Sequence, residues 1–187
     1  MRSGKVYGKF RTGDGREVIL RSPRWEDLDG MLSFATELVK ERDVEPDFGV
    51  TLDTVPTRTE EARWLADRLA SMEKGDTVGV VAEVDGRLVG NSEVFRKPLR
   101  DLQRHGTLGI SVLKGYRDSG IGGEMMKALM KQCSEQGFKT LELEAFATNE
   151  RALHLYEKVG FRRAGVIPKK IWRDGRSIDM VVMAAEL

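Results

Sequence analysis

The spacing of apolar and polar positions predicts short strands alternating with amphipathic helices. Glu17–Arg21 is an apolar run that predicts a strand, and Ser22-Pro23 supplies an N-cap and a first-turn proline for a helix. The apolar positions of this helix recur at helical spacing, at Trp25, Leu28, Met31, Leu32, Ala35, Leu38 and Val39. Residues 43–56 are expected to form a loop.

The middle of the chain predicts a second helix and then a hairpin. Thr57 and Glu60 have capping-box spacing, and the helix that they begin should end near Gly75. The apolar runs Val78–Val84 and Leu88–Phe95 flank an Asp-Gly dipeptide, the turn chemistry that favours a tight hairpin.

The second half repeats the alternation. A strand at Thr107–Leu113 leads through a glycine-rich stretch into a helix that ends at Gly137, and a strand follows at Thr140–Ala147. A short helix is expected from Asn149 to Lys158. The runs Phe161–Ile171 and Ile178–Ala184 predict a closing hairpin. The order βααβββαβαββ predicts one mixed α/β domain over residues 1–187, with a mostly antiparallel sheet and flanking helices.

Composition narrows the classes of partner. The 31 basic and 30 acidic side chains nearly cancel, which argues against nucleic acid. The only cysteine, Cys133, with two histidines gives no basis for a disulfide or a structural metal site, and favours a reducing, cytoplasmic setting. No apolar run is long enough to cross a membrane. The sequence leaves formation of a homodimer open.

Two segments carry candidate chemistry. The loop Arg117–Gly123 lies between a strand and a helix, where glycines let backbone amides approach a phosphate and where the helix N-terminus favours negative charge. Asn149, Ala152 and Tyr156 fall at i, i+3 and i+7 and share one face of the next helix. Each segment alone also fits a structural role, the first as a turn and the second as a helix cap with a half-buried aromatic residue.

The two segments together resemble the acetyl-coenzyme A signature of the GNAT superfamily of N-acetyltransferases. The segments are GYRDSGIGGEMMKALM and NERALHLYEKVGF. The resemblance covers Val78 to Ala184, and the closing hairpin is similar to the branch that contains ribosomal-protein, polyamine and amino-acid acetyltransferases. It implies acetyl-CoA as the acyl donor and a small-molecule or peptide amine as the acceptor.

The resemblance also implies the residues that bind the coenzyme. The strand should pair with the pantetheine arm, the loop should hold the diphosphate with Arg117 on one of its oxygens, and Asn149 and Tyr156 should approach the thioester. Asp118 stands where the family usually has glycine, and its carboxylate is expected to turn to water. The implied set is Ile110, Ser111, Val112, Leu113, Arg117, Asp118, Ser119, Gly120, Ile121, Gly122, Gly123, Asn149, Ala152 and Tyr156.

The expected reaction is direct attack of the amine on the thioester. Tyr156 is the candidate general acid for the leaving thiolate, and an N–H near a strand bulge at residues 109–112 should stabilise the oxyanion. Glu93 is the first candidate for the base, and the other candidates are Glu83, Glu144 and His105. For each glutamate the competing interpretation is a solvated strand face.

The acceptor and the catalytic status stay open at this point. A free amino acid or another small amine is ranked slightly ahead of a protein N-terminus or lysine. The alternative function is a non-catalytic coenzyme A-binding sensor or scaffold, which the lack of an obvious base favours and the presence of Tyr156 disfavours.

Overall fold

The computed structural model describes residues 3–45, 48–49 and 52–187, and within them eight strands and four helices of the α type. The strands are β1 (Val6–Arg11), β2 (Glu17–Arg21), β3 (Thr77–Val84), β4 (Arg87–Arg96), β5 (His105–Val112), β6 (Thr140–Phe146), β7 (Arg162–Arg173) and β8 (Arg176–Glu186). The helices are α1 (Leu28–Val44), α2 (Arg58–Lys74), α3 (Ile121–Glu135) and α4 (Glu150–Lys158).

The strands form one sheet in the order β1-β2-β3-β4-β5-β6-β8-β7. Every neighbouring pair is antiparallel except β5 and β6. This arrangement confirms the predicted fold class, a mixed and mostly antiparallel α/β sheet with flanking helices. None of the helices in the described ranges is long and apolar enough to cross a membrane.

The N-terminal prediction was wrong in two respects. The structure adds β1, which the sequence pattern missed, ahead of the predicted order. Ser22 does not cap a helix, because its Oγ accepts a hydrogen bond from the Lys5 amide at 2.9 Å and so ties the N-terminal segment to the end of β2. The helical region begins later, with a 3-10 turn at Trp25–Asp27 that leads into α1.

The predicted loop at residues 43–56 overlaps the end of α1, and its residues 46, 47, 50 and 51 lie outside the described residues. The capping box ahead of α2 is confirmed. The Thr57 side chain accepts a hydrogen bond from the Glu60 amide, and the Glu60 carboxylate accepts one from the Thr57 amide.

Helices cover both faces of the sheet. On one face α3 buries Met125, Met126, Leu129 and Cys133 completely. On the other face Met31 of α1 packs with Val81 and Leu88 of the sheet. Burial raises the pKa of the Cys133 thiol to about 12, which keeps it protonated and unreactive at neutral pH. Cys133 is therefore a core residue, as predicted.

The sheet opens between its two parallel strands. β5 and β6 pair only where His105–Thr107 lies beside Thr140–Glu142. In the described part of the chain the two strands do not pair beyond these residues. We call the opening between residues 109–112 of β5 and residues 143–146 of β6 the wedge. The Leu113 amide donates to Val89 O in β4. Because the backbone N–H and C=O groups of successive residues in a strand point to alternate sides, those of Ile110 and Val112 point away from β4 and into the wedge.

Candidate active site

Two cavities meet at the wedge. The larger, which we call the cleft, has a volume of about 680 Å³ and lies among α1, α2, β4, β5 and β6. The smaller, which we call the groove, has a volume of about 280 Å³ and lies between β5, the glycine-rich loop and α4. Both cavities are lined by Ile110, Ser111 and Tyr156, so a molecule in the groove and a molecule in the cleft would meet at these three residues.

Most of the predicted coenzyme residues line the groove. They are Ile110, Ser111, Val112, Arg117, Asp118, Gly120, Gly122, Gly123, Ala152 and Tyr156. Gly120 is the N-cap of α3 with φ 87°, a left-handed conformation that favours glycine. A Cβ atom on Gly122 would lie 3.1 Å from Leu155 Cδ2, so a side chain there would press on α4.

The groove fits a polyphosphate chemically. The amides in the first turn of α3 have no acceptor within the helix, as at any helix N-terminus, and such amides commonly bind anions. Four basic or potentially basic side chains, Arg117, Arg151, His154 and Lys158, line the same cavity.

Four of the predicted coenzyme residues do not line the groove. Leu113 and Ile121 bury their side chains in the core. The Ser119 hydroxyl donates to Tyr116 O at 2.6 Å, and the Asn149 side chain caps α4 by accepting from the Ala152 amide at 3.2 Å. The side chains of these residues therefore have structural contacts, while the backbone amides of Ser119 and Ile121 stay within the loop and the first turn of α3.

Arg117 is held by the protein itself. Its Nε donates to Val112 O at 2.8 Å, its guanidinium pairs with Glu41 of α1, and it stacks 4.1 Å from the centre of the Phe48 ring. A phosphate oxygen on Arg117 would have to share or replace the Glu41 contact.

The Asp118 carboxylate is exposed and lies 3.1 Å from Arg151. The carboxylate was expected to turn to water, and the structure exposes it and also gives it a cationic partner, Arg151. The residue itself adopts the left-handed conformation, with φ 59°.

Tyr156 is placed as a bridge between the cavities. It is only 8% exposed, yet its hydroxyl has no hydrogen-bond partner in the described part of the chain. Burial raises the pKa of the phenol to about 12, which keeps the hydroxyl protonated and able to donate at neutral pH.

Glu93 lies in the cleft, on β4 and directly opposite Gly109 of β5. Gly109 contributes no side chain opposite Glu93, and a Cβ atom at Gly109 would meet no atom within 4 Å, so there is open space at this position of β5. Burial raises the pKa of Glu93 to about 7; Arg68, whose Nε is 3.2 Å from the carboxylate, lowers it, and nearby Glu61 raises it. The carboxylate can therefore change its protonation state at neutral pH, as a general base must.

The other base candidates are less well placed. The Glu83 carboxylate is bound at 2.7 Å by Arg21, which also pairs with Asp27, and it does not line the cleft. His105 does not line the cleft either, and its Nε2 lies 3.2 Å from Glu142. Glu144 does line the cleft, but it is exposed and paired with Lys170.

The prediction of a bulge at residues 109–112 was wrong. The pairing of β4 with β5 keeps one register, from Gly90 opposite Val112 to Arg96 opposite Gly106. An unpaired backbone N–H is available there for a different reason, because Ile110 faces the wedge, where β6 has separated from β5.

Sequence reasoning missed Glu61. This glutamate lies in α2, lines the cleft and is only 8% exposed, and burial raises the pKa of its carboxyl group. The available signal was its spacing, since Glu61, Trp64 and Arg68 fall at i, i+3 and i+7 and so share a helix face.

Comparison with known proteins places the chain among the acyltransferases that use acetyl-CoA. Residues 41–161 match the family model described as the Acetyltransferase (GNAT) family. The match covers more than half of the chain, so the chain belongs to this family, and the resemblance noted from the two signature segments is confirmed.

Individual relatives agree with the family. The streptothricin acetyltransferase of Streptomyces lavendulae is 32% identical over 168 residues, which cover 86% of this chain and 82% of the relative. An N-alpha-acetyltransferase of Sulfurisphaera tokodaii is 34% identical over 117 residues, 57% of this chain and 68% of the relative. The Salmonella typhimurium protein yncA, solved with its cofactor acetyl-CoA, shares the fold with a TM-score of 0.78 at 14% identity, covering 91% and 94% of the two chains.

Proposed function

We propose that acetyl transfer takes place in the wedge, from acetyl-CoA in the groove to a primary amine in the cleft. The observation that carries this proposal is the separation of charge across Tyr156. Basic side chains line the groove, where a polyphosphate would bind, and four glutamates line the cleft, where an amine would bind. The two cavities meet at Ile110, Ser111 and Tyr156 and nowhere else among their lining residues.

The open edge of β5 supports binding of the pantetheine arm. Ile110 offers an N–H and a C=O, and Val112 offers an N–H, at the positions where a further strand would pair. An extended ligand with amide groups can pair with such an edge as an added strand does. The diphosphate is assigned to the amides at the start of α3, with Arg151, His154 and Lys158 nearby, and Arg117 holds the loop against α1.

Tyr156 is the proposed donor to the leaving sulfur. Acetyl-CoA supplies an acyl group activated as a thioester, whose thiol has a pKa of about 8.5. The phenol, with a pKa of about 12, is the weaker acid, so complete proton transfer to the sulfur is uphill. Its contribution is therefore a strong hydrogen bond to developing negative charge, in a buried site where such bonds are strengthened.

Two further groups complete the proposed mechanism. The Ile110 N–H points into the wedge and is proposed to stabilise the negative charge that develops on the carbonyl oxygen. Glu93 is proposed to take the proton of the attacking amine, directly or through one water molecule. A neutral lysine-like amine costs roughly 4 kcal/mol at neutral pH, a cost that the pKa of the amine and the pH determine. Glu93 does not remove this cost; it is proposed to accept the proton that the nitrogen loses as its bond to the carbonyl carbon forms, at which stage the nitrogen is much more acidic.

A thiol-release assay tests this proposal. The protein is mixed with acetyl-CoA and with amino acids, polyamines or peptides that have a free N-terminus, and amine-dependent release of coenzyme A is followed. We expect release with at least one class of amine, together with an acetylated product. Coenzyme A binding without release for every class would favour the alternative, a non-catalytic sensor or scaffold module.

A further inference from the structure

All the charged side chains that line the cleft in the described ranges are acidic. Four glutamates line it, Glu60, Glu61, Glu93 and Glu144, and none of its lining residues in the described ranges is Lys, Arg or His. The groove on the other side of Tyr156 has the opposite character. The cleft therefore attracts cations and repels carboxylates.

Three of the four glutamates already have partners. Glu60 accepts hydrogen bonds from the Thr57 amide at 2.7 Å and the Thr57 hydroxyl at 2.8 Å. Glu144 pairs with Lys170, and Glu93 lies 3.2 Å from Arg68.

Glu61 is different, because its carboxylate has no hydrogen bond or ion pair within the described part of the chain although the residue is 8% exposed. Burial of the residue removes part of the hydration of the carboxylate, and the protein supplies no partner in exchange, which is costly. A cationic group bound in the cleft would offset that cost. Its neighbours do not relieve it. Arg68, seven positions further along α2, forms an ion pair with Glu93 and not with Glu61, and its guanidinium lies 4.2 Å from the centre of the Phe95 ring.

We propose that Glu61 binds a second positively charged group of the acceptor, so that the substrate class is amines with at least two cationic groups and no nearby carboxylate. This inference rests on the proposed function, which places the acceptor in the cleft. The reacting amine must be neutral when it attacks beside Tyr156, so it cannot also be the cation that Glu61 holds. A plain α-amino acid would bring a carboxylate among glutamates, and no Lys, Arg or His lines the described part of the cleft to receive it.

Matched acceptors test the inference. The diamine cadaverine, the monoamine pentylamine and the amino acid δ-aminovalerate share a five-carbon chain, and spermidine extends the diamine. We expect cadaverine or spermidine to have the highest kcat/KM. Because Glu61 also raises the pKa of Glu93, the variant can change the rate for every acceptor, so the test is the ratio of kcat/KM for cadaverine to kcat/KM for pentylamine. Glu61→Gln should lower this ratio by about 10-fold to 150-fold, the range for a lost hydrogen bond to a charged group. Glu73→Gln is the matched control, since Glu73 lies in the same helix, is exposed and does not line the cleft.

The outcomes separate this inference from the proposed function. Two results would overturn the inference and leave acetyl transfer intact. One is turnover of δ-aminovalerate or pentylamine as fast as that of cadaverine and spermidine. The other is an equal fall in kcat/KM for all acceptors in Glu61→Gln. If no amine is acetylated, the proposed function fails. Calorimetry with spermidine in the presence of coenzyme A then tests Glu61 directly, because binding that Glu61→Gln weakens supports the inference and no binding overturns it. Thermal unfolding of both variants checks that they are folded.

Discussion

Replacing Glu93 by glutamine removes the proposed base with little change in shape. With a pKa of about 7, the Glu93 carboxyl is about one-tenth ionised at pH 6 and about nine-tenths ionised at pH 8. The amine also becomes neutral as the pH rises, but it does so equally in both proteins. The ratio of wild-type to Glu93→Gln kcat/KM therefore isolates the base, and it should rise about 10-fold from pH 6 to pH 8. At pH 8 the ratio should reach about 100 or more, the lower end for general acid–base catalysis.

The assay is initial-rate thiol release over this pH range with a saturating acyl donor, and Glu73→Gln serves as the control that changes one charge outside the cleft. A ratio that stays constant with pH would refute the assignment of Glu93 as the base. A ratio near one at pH 8, with chemistry shown to be rate-limiting, would refute any role of Glu93 in the proton transfer.

The same residue links stability to pH. The pKa of Glu93 is raised in the folded protein from 4.5 to about 7, so the native state binds this proton more tightly than the unfolded state does. The resulting stability is fully present below pH 4.5 and is lost as the pH rises through 7, an effect of about 3 kcal/mol for one site. Glu93→Gln should lack this loss. Chemical denaturation of both proteins at pH 5 and pH 8 measures the difference, and identical pH dependence would show that the burial of Glu93 does not act in this way.

Three further predictions concern the groove and Tyr156. Tyr156→Phe keeps the ring packing and removes only the donor, so kcat should fall about 10-fold to 150-fold in steady-state assays while the coenzyme Kd from calorimetry is unchanged; a wild-type kcat would leave Tyr156 as a packing residue. Gly122→Val should raise the KM for acetyl-CoA steeply, because even a Cβ atom would lie 3.1 Å from Leu155 Cδ2; an unchanged KM in a folded variant would remove the loop from the coenzyme site. Coenzyme A at 100 times its Kd should stabilise the protein by about 2.7 kcal/mol in thermal shift measurements and ATP by far less, whereas equal stabilisation would indicate a general nucleotide site.

Local patterns predicted most of the elements because their signals lie within a few residues. The capping box at Thr57, the turn at Asp85-Gly86 and the glycine exit of α2 all depend on near neighbours in the chain. β1 was missed because its segment carries Lys9, Arg11 and a glycine, and because it lies at the edge of the sheet, where its residues are exposed or only partly buried. The segment therefore lacks the regular alternation of apolar and polar positions that indicates a strand. The role of Ser22 depends on Lys5, a contact across 17 positions that no local pattern reveals.

The candidate site also has parts that local sequence predicts and parts that depend on the assembled fold. The signature segments predicted the wall of the groove, since its glycines and Tyr156 are fixed by a loop and one helix face. Choosing among Glu93, Glu83, Glu144 and His105 required the sheet order and the ion pairs, which bring Glu83 to Arg21 and leave Glu93 in the cleft. The separation of β5 from β6 is a property of the assembled sheet and has no signature in either strand.

The wedge has a consequence for the exchange of amide hydrogens with solvent. Along β5, the Gly109 and Ser111 amides face β4 and belong to its ladder, whereas the Ile110 amide faces the opening. In the free protein Ile110 should therefore exchange rapidly while both of its neighbours exchange slowly, an alternation within three consecutive residues of one central strand. When the second edge of β5 is occupied by a ligand, the three amides should become equally slow. A single strand in the middle of the sheet can thus report whether the site beside it is filled.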